Sequence, residues 1–308
     1  MKKLLFAVAA MSAGISLADV SSANVVGYST ITLPAGQEYG MYAMPFDGIN
    51  GEAIDMADVF PEPLNSFKAG VAAAYSDQIM FWYKGAYKSL YLFSNPNVAT
   101  RHGKWINPAS VPDSSWGTAN QPTKLKITGG TSFWIKRNVP TGTDKTDKEA
   151  MATALPAKTI TVSGQVVTKQ SGVAEYAITP ATATAGAYTL CAAGFTAPFI
   201  PNIDLVDATK PKHDWIADGC KGGVAAAYAD QLMLWYNGAY KALYLFSNPN
   251  VATRHNRWIN PASVPDVSWG TANQPSRAQI QPTQGFWYFR QKGQTGNLTF
   301  KVQQPYSL

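Results

Sequence analysis

The chain contains one segment written twice. Residues 70–122 and 223–275 are offset by 153 positions and identical at 45 of 53. Self-similarity at this scale requires a fold assembled from two related units. Outside the two copies the match weakens but keeps its order. YGMYAMPF at 39–46 parallels YTLCAAGF at 188–195, and Phe133-Trp134 parallels Phe286-Trp287. TITVSGQ at 159–165 parallels NLTFKVQ at 297–303. The units are therefore expected at 24–168 and 169–308, with a polar loop (140–150) inside the first. A recent local duplication accounts for the high central identity. A binding role shared by both copies accounts for it as well, because loops otherwise drift faster than cores.

The local pattern is that of strands. Residues 24–33 and 39–45 are short Val/Tyr/Thr/Met-rich runs separated by Pro34-Ala35-Gly36. Residues 51–60 have helical apolar spacing, which Pro61 and Pro63 would end. Residues 78–83 and 86–93 form a hairpin on a two-residue turn, Lys84-Gly85 in one copy and Asn237-Gly238 in the other. Asn-Gly suits a type I′ turn because both central residues need positive φ. Strands at 132–137 and 159–167 complete the unit. The expected fold is mainly β: two tandem β-sandwich or partly open barrel domains, each with one short helix and one long loop.

Alternation assigns the hairpin's faces. One face carries Ile79, Phe81 and Leu90. The other carries Gln78, Met80, Trp82, Tyr87, Ser89 and Tyr91, which is either a binding platform or a packing surface.

The loop at 94–122 is the candidate site. Structureless loops longer than about 12–15 residues are uncommon and often functional. It holds Arg101, His102, Trp105, Asn107 and Trp116. Its second copy holds Arg254, His255, Trp258, Asn260 and Trp269. Guanidinium and amide groups bond hydroxyl or sulfate oxygens, and indole faces suit apolar sugar faces. With Trp82, Tyr87 and Tyr91, and with Trp235, Tyr240 and Tyr244, they make a candidate polysaccharide-binding set. The competing reading is that the tryptophans pin the loop to the sheet while Arg101 and Asn107 satisfy its backbone.

Composition narrows the function classes. Charged residues are 14% and aromatic residues 12% of the 308, and the formal net charge is +6 without clustering. Nucleic-acid binders show a denser basic patch, and none is expected as a partner. No nucleophile elbow, zinc-protease motif or phosphate loop occurs, so neither catalysis nor a cofactor or metal is expected. Asp77 and Asp113 could make the carboxylate pair that glycosidases need, but nothing in the sequence brings them within reach of each other.

Lys2-Lys3, an apolar run and Ser16-Leu17-Ala18 have the layout of a secretory signal peptide cleaved near Ala18. The apolar run is short of the ~20 residues of a spanning helix. A secreted, periplasmic or cell-surface location follows. In that setting Cys191 and Cys220, which flank the helical stretch of the second unit, are expected to form a disulfide worth about 3–4 kcal/mol. Two buried free thiols are the competing arrangement.

Ala23-Asn24-Val25-Val26-Gly27-Tyr28, Leu33-Pro34-Ala35-Gly36, the hairpin and the Gly130 to Trp134 strand together resemble a family of secreted bacterial tandem-repeat β proteins. The resemblance covers nearly the whole chain after the leader. It implies the tandem β architecture and an exported structural or interaction role, with no known activity, cofactor or catalytic residue. The long loop and the spacing at Gly285-Phe286 depart from that family's pattern. Partners consistent with the role are a polysaccharide, another envelope protein, or further copies of the chain through strand edges at 25–33 or 298–302.

Overall fold

The computed structural model describes residues 25–108, 114–261 and 269–306. The expected leader at 1–18 lies outside them, as do Asp113 and Asp266. Strands dominate, and three short α-helices occur among the described residues. No helix of these residues is long and apolar enough to cross a membrane.

The amino-terminal half runs β1 (Val26–Leu33), β2 (Tyr39–Ala43), β3 (Phe46–Asp47), β4 (Ile54–Asp55), α1 (Met56–Val59), α2 (Pro63–Ser66), β5 (Gln78–Tyr83) and β6 (Ala86–Phe93). It continues through β7 (Lys104–Ile106), β8 (Lys126–Ile127), β9 (Ser132–Lys136), α3 (Lys148–Ala154) and β10 (Lys158–Val166). The carboxy-terminal half runs β11 (Val173–Ile178), β12 (Ala187–Ala192), β13 (Gln231–Tyr236) and β14 (Ala239–Phe246). It ends with β15 (Arg257–Asn260), β16 (Gln274–Pro275), β17 (Gly285–Arg290) and β18 (Leu298–Gln303).

Each half builds its main sheet in the same order. The first is β2-β9-β5-β6-β7, and the second is β12-β17-β13-β14-β15-β16. A second layer pairs the first and last long strands of each half antiparallel, β1 with β10 and β11 with β18. The apolar residues between the layers form two separate large cores. One is drawn from Ile31 to Val162, the other from Val167 to Phe300 and Val302.

The hairpins form as their sequence requires. Lys84-Gly85 have φ of 50° and 78°, and Asn237-Gly238 have 51° and 79°. Positive φ at both positions matches the right-handed twist of the flanking strands. The two-residue turn sets Trp82 opposite Tyr87 and Ile79 opposite Leu90. Ile79, Phe81 and Leu90 accordingly enter the core.

Four expectations are corrected. The helix anticipated over 51–60 is a single turn, α1, because Ile54 and Asp55 are taken by pairing with Ile127 and Lys126. The polar stretch 140–150 is a loop only as far as Asp147, whose carboxylate accepts the first amides of α3 at 2.8 and 3.2 Å. The loop at 94–122 is not structureless: β7 adds to the sheet edge beside β6. Finally, Cys191 and Cys220 are free and buried. Cys191 lies in β12 opposite Phe286, with its Sγ turned toward the Thr189 carbonyl at 3.7 Å. Burial pushes the Cys220 thiol up to about 12 and raises Cys191 as well, so both stay protonated.

Candidate functional site

The duplicated loop is held by its own candidate residues. Trp105 and Trp258 are 2% and 0% exposed. Trp105 packs edge-on to Phe67 at 5.1 Å, and Trp258 packs on Trp215 at 5.8 Å. Trp116 packs against Phe81 and Tyr83, and Trp269 against Tyr236 at 5.9 Å. All four indoles are buried. Buried Asn107 donates from Nδ2 to the Trp116 carbonyl, and Asn260 to the Gly270 carbonyl at 2.8 Å.

Arg101 lies over the Phe93 ring at 4.8 Å and donates to the Asn120 carbonyl at 3.3 Å. Arg254 repeats this on Phe246 and Asn273, at 4.7 and 3.2 Å. His102 and His255 are half-buried at the turn that follows Val98 and Val251, to whose carbonyls their backbone amides donate. Tyr91 and Tyr244 are buried, with Val98 and Val251 packed against their clusters. Arg101, Arg254, Asn107 and Asn260 thus bond carbonyls of the loop, while the indole nitrogens of Trp105 and Trp258 and Nδ1 of His102 and His255 are buried with no hydrogen-bond partner among the described residues.

Asp77, weighed above for acid-base work, accepts backbone amides from Lys68 and Asn138 at 2.8 and 2.6 Å. Its repeat equivalent Asp230 is 0% exposed. Asp230 accepts from the Lys221 and Gln291 amides, the Tyr288 hydroxyl at 2.6 Å and Arg290 at 3.1 Å. Burial raises the Asp77 carboxyl above its ordinary value, and the two amides oppose that shift. Both carboxylates tie the start of the hairpin to the strand that follows the loop.

The aromatic hairpin faces meet each other. Trp82 stands edge-on to Trp287 with centroids 5.2 Å apart, and Trp235 stands edge-on to Trp134 at 5.1 Å. Trp82 and Trp235 are repeat equivalents, as are Trp134 and Trp287. The contact is thus reciprocal, the pattern of an isologous two-fold interface formed within one chain. Tyr87 and Tyr240 complete it, 6.3 Å from Trp287 and 6.1 Å from Trp134. The Trp287 indole donates to the Tyr240 hydroxyl at 3.0 Å. Met41, Met80, Met233 and Leu190 pack in the same cluster. Edge-to-face geometry sets each ring's positive rim against its neighbour's negative face.

Hydrogen bonds across the halves reinforce this contact. The Ala43 amide donates to the Thr283 carbonyl at 2.8 Å, Ser132 Oγ to the Cys191 carbonyl at 2.6 Å, and the Trp235 indole to the Tyr39 carbonyl at 3.0 Å. A Cβ on Gly285 would lie 2.8 Å from the Tyr42 carbonyl, so the approach there needs glycine.

Trp134 and Trp287 were not among the sequence candidates. Their signal was the matched Phe-Trp pair just outside the high-identity block. Comparison with protein-family models, curated proteins and solved structures finds no match.

Proposed function

We propose that this chain is an exported, non-catalytic structural or interaction protein of the cell envelope or extracellular matrix, built from two β repeats that act as one rigid body. The observation that carries the reading is the reciprocal Trp82–Trp287 and Trp134–Trp235 contact. It uses the most aromatic surface of each repeat to join the halves. The carboxylates of Asp77 and Asp230 support the non-catalytic part, because backbone amides occupy both. The leader-like start supports export.

The test is fractionation of cells expressing the whole chain, with sequencing of the mature N-terminus. A product outside the cytoplasm that begins near residue 19 is expected. An uncleaved, purely cytoplasmic product would overturn the proposal.

Exposed Val26 and Tyr28, the latter 82% accessible, lie on β1, whose only described strand partner is β10. This favours a second reading, self-assembly through that edge. Concentration-dependent association that Tyr28→Lys abolishes would support it, and a monodisperse monomer at high concentration would remove it.

A further inference from the structure

Joining the halves leaves a groove of about 550 Å³ between β1 and the carboxy-terminal half. That size lies within the roughly 300–1,000 Å³ of small-ligand sites. We propose that this groove binds a neutral oligosaccharide. The inference goes beyond the structural role above and does not depend on export.

The chemistry of the walls carries it. None of the fifteen lining residues is charged. β1 supplies Ser29, Thr30 and Thr32, the turn before β17 supplies Gln281 and Gln284, and Gln37 adds a third glutamine. Hydroxyl and carboxamide groups both donate and accept, as sugar hydroxyls require, and they carry no charge that would select an anion. Trp235 and Tyr236 add aromatic surface to the same groove. The Trp235 indole is fixed by its bond to the Tyr39 carbonyl, so the ring is preorganised.

A peptide strand fits less well. It would need the Thr30–Thr32 part of the β1 edge, beyond exposed Val26 and Tyr28, and two carbonyls there are already taken. Tyr42 donates its hydroxyl to the Thr32 carbonyl at 3.1 Å, and Thr283 Oγ1 donates to the Thr30 carbonyl at 3.4 Å.

The chain carries its own contrast. The interface two-fold relates this groove to another, lined by Trp82, Tyr83 and residues 130–132, of only about 270 Å³. Strand register explains the difference. Ser29 pairs with Val162 in the first half, and Tyr176 pairs with Phe300 in the second. Val162 and Phe300 are equivalent in the repeat, so Tyr176 occupies the place of Ser29. Its hydroxyl lies where Cβ atoms on Gly130 and Gly194 would meet it, at 2.9 and 2.8 Å, and it lines the second, smaller groove. That groove also contains Lys126. One duplicated groove is larger and neutral, and the other is about half its volume and carries a lysine.

The test is calorimetric titration of the full mature chain with cellotetraose, maltotetraose and chitotetraose, beside an anionic oligogalacturonate. At least one neutral oligosaccharide should bind with a dissociation constant below about 1 mM, and oligogalacturonate should bind none or more weakly. Ser29→Tyr copies the smaller groove and should weaken binding at least about tenfold. Gln37→Ala, with no hydrogen bond of its side chain to lose, should weaken it by about threefold or more at unchanged melting temperature. If Ser29→Tyr unfolds the protein, Gln37→Ala decides. Absence of binding by every neutral probe, preference for the anionic one, or binding unmoved by Gln37→Ala overturns the proposal. Each outcome is readable whether or not the protein proves to be exported.

Discussion

Alanine substitution at the two reciprocal tryptophan pairs tests the interface energetically. Removing a packed indole costs about 3–5 kcal/mol through lost burial and the cavity left behind. That single-site loss does not distinguish contact across the halves from packing within one half. The coupling does. Trp82 and Trp287 are 5.2 Å apart at 89°, and Trp134 and Trp235 are 5.1 Å apart at 74°. Edge-to-face pairs of this kind couple by about 0.5–1.5 kcal/mol beyond their area. Double-mutant cycles for Trp82→Ala with Trp287→Ala, and for Trp134→Ala with Trp235→Ala, should each return a coupling in that range. Because the pairs are repeat-related, the two values should agree within about 0.5 kcal/mol. The assay is urea unfolding followed by circular dichroism, with a global fit across all variants. Additive losses in either cycle would refute the reciprocal contact.

Three further outcomes follow from individual residues. Asp230→Asn should cost about 3–5 kcal/mol because it strands buried Arg290, whereas Asp77→Asn, which weakens the bonds from the Lys68 and Asn138 amides, should cost about 1–3 kcal/mol in the same urea assay; equal costs would refute the contrast. Lys84→Asn copies the second hairpin and should stabilise by about 0.5–1 kcal/mol, since Asn tolerates positive φ better than Lys; a lower melting temperature would contradict it. Thiol titration with a chromogenic disulfide should find both cysteines unreactive in the native protein and two equivalents reactive after denaturation without reductant, and fewer than two would restore the disulfide.

The hairpin was legible in the sequence because a two-residue Gly turn sets register, and register sets faces. Ile79, Phe81 and Leu90 follow from that alone. The partner of the opposite face was not legible. Trp82 and Tyr87 read as platform or packing, because alternation says which side a ring points to and not what lies there. β7 was missed because Lys104–Ile106 is three residues long among Asn, Gly and Pro, with too little alternation to register. The signal for α3 was present: Asp147 stands before a run of good helix formers, a capping pattern overlooked inside a charged stretch. The disulfide failed for a different reason. Two cysteines flanking one segment say nothing about Cβ geometry, and Cys191 is committed to a strand facing the core. The groove was invisible because Ser29 and Gln284 are separated by most of the chain and meet only when the halves join.

The central claim is that the repeated aromatic faces lock the halves into one body. Pulsed electron paramagnetic resonance tests it most directly, with spin labels at Val71→Cys and Val224→Cys, which are 59% and 60% exposed in opposite halves. The native cysteines are buried and remain unlabelled. A single narrow distance distribution is predicted, broadening when Trp134→Ala and Trp287→Ala are introduced. A broad or multimodal distribution in the parent chain, or one that the tryptophan substitutions leave unchanged, would contradict the account.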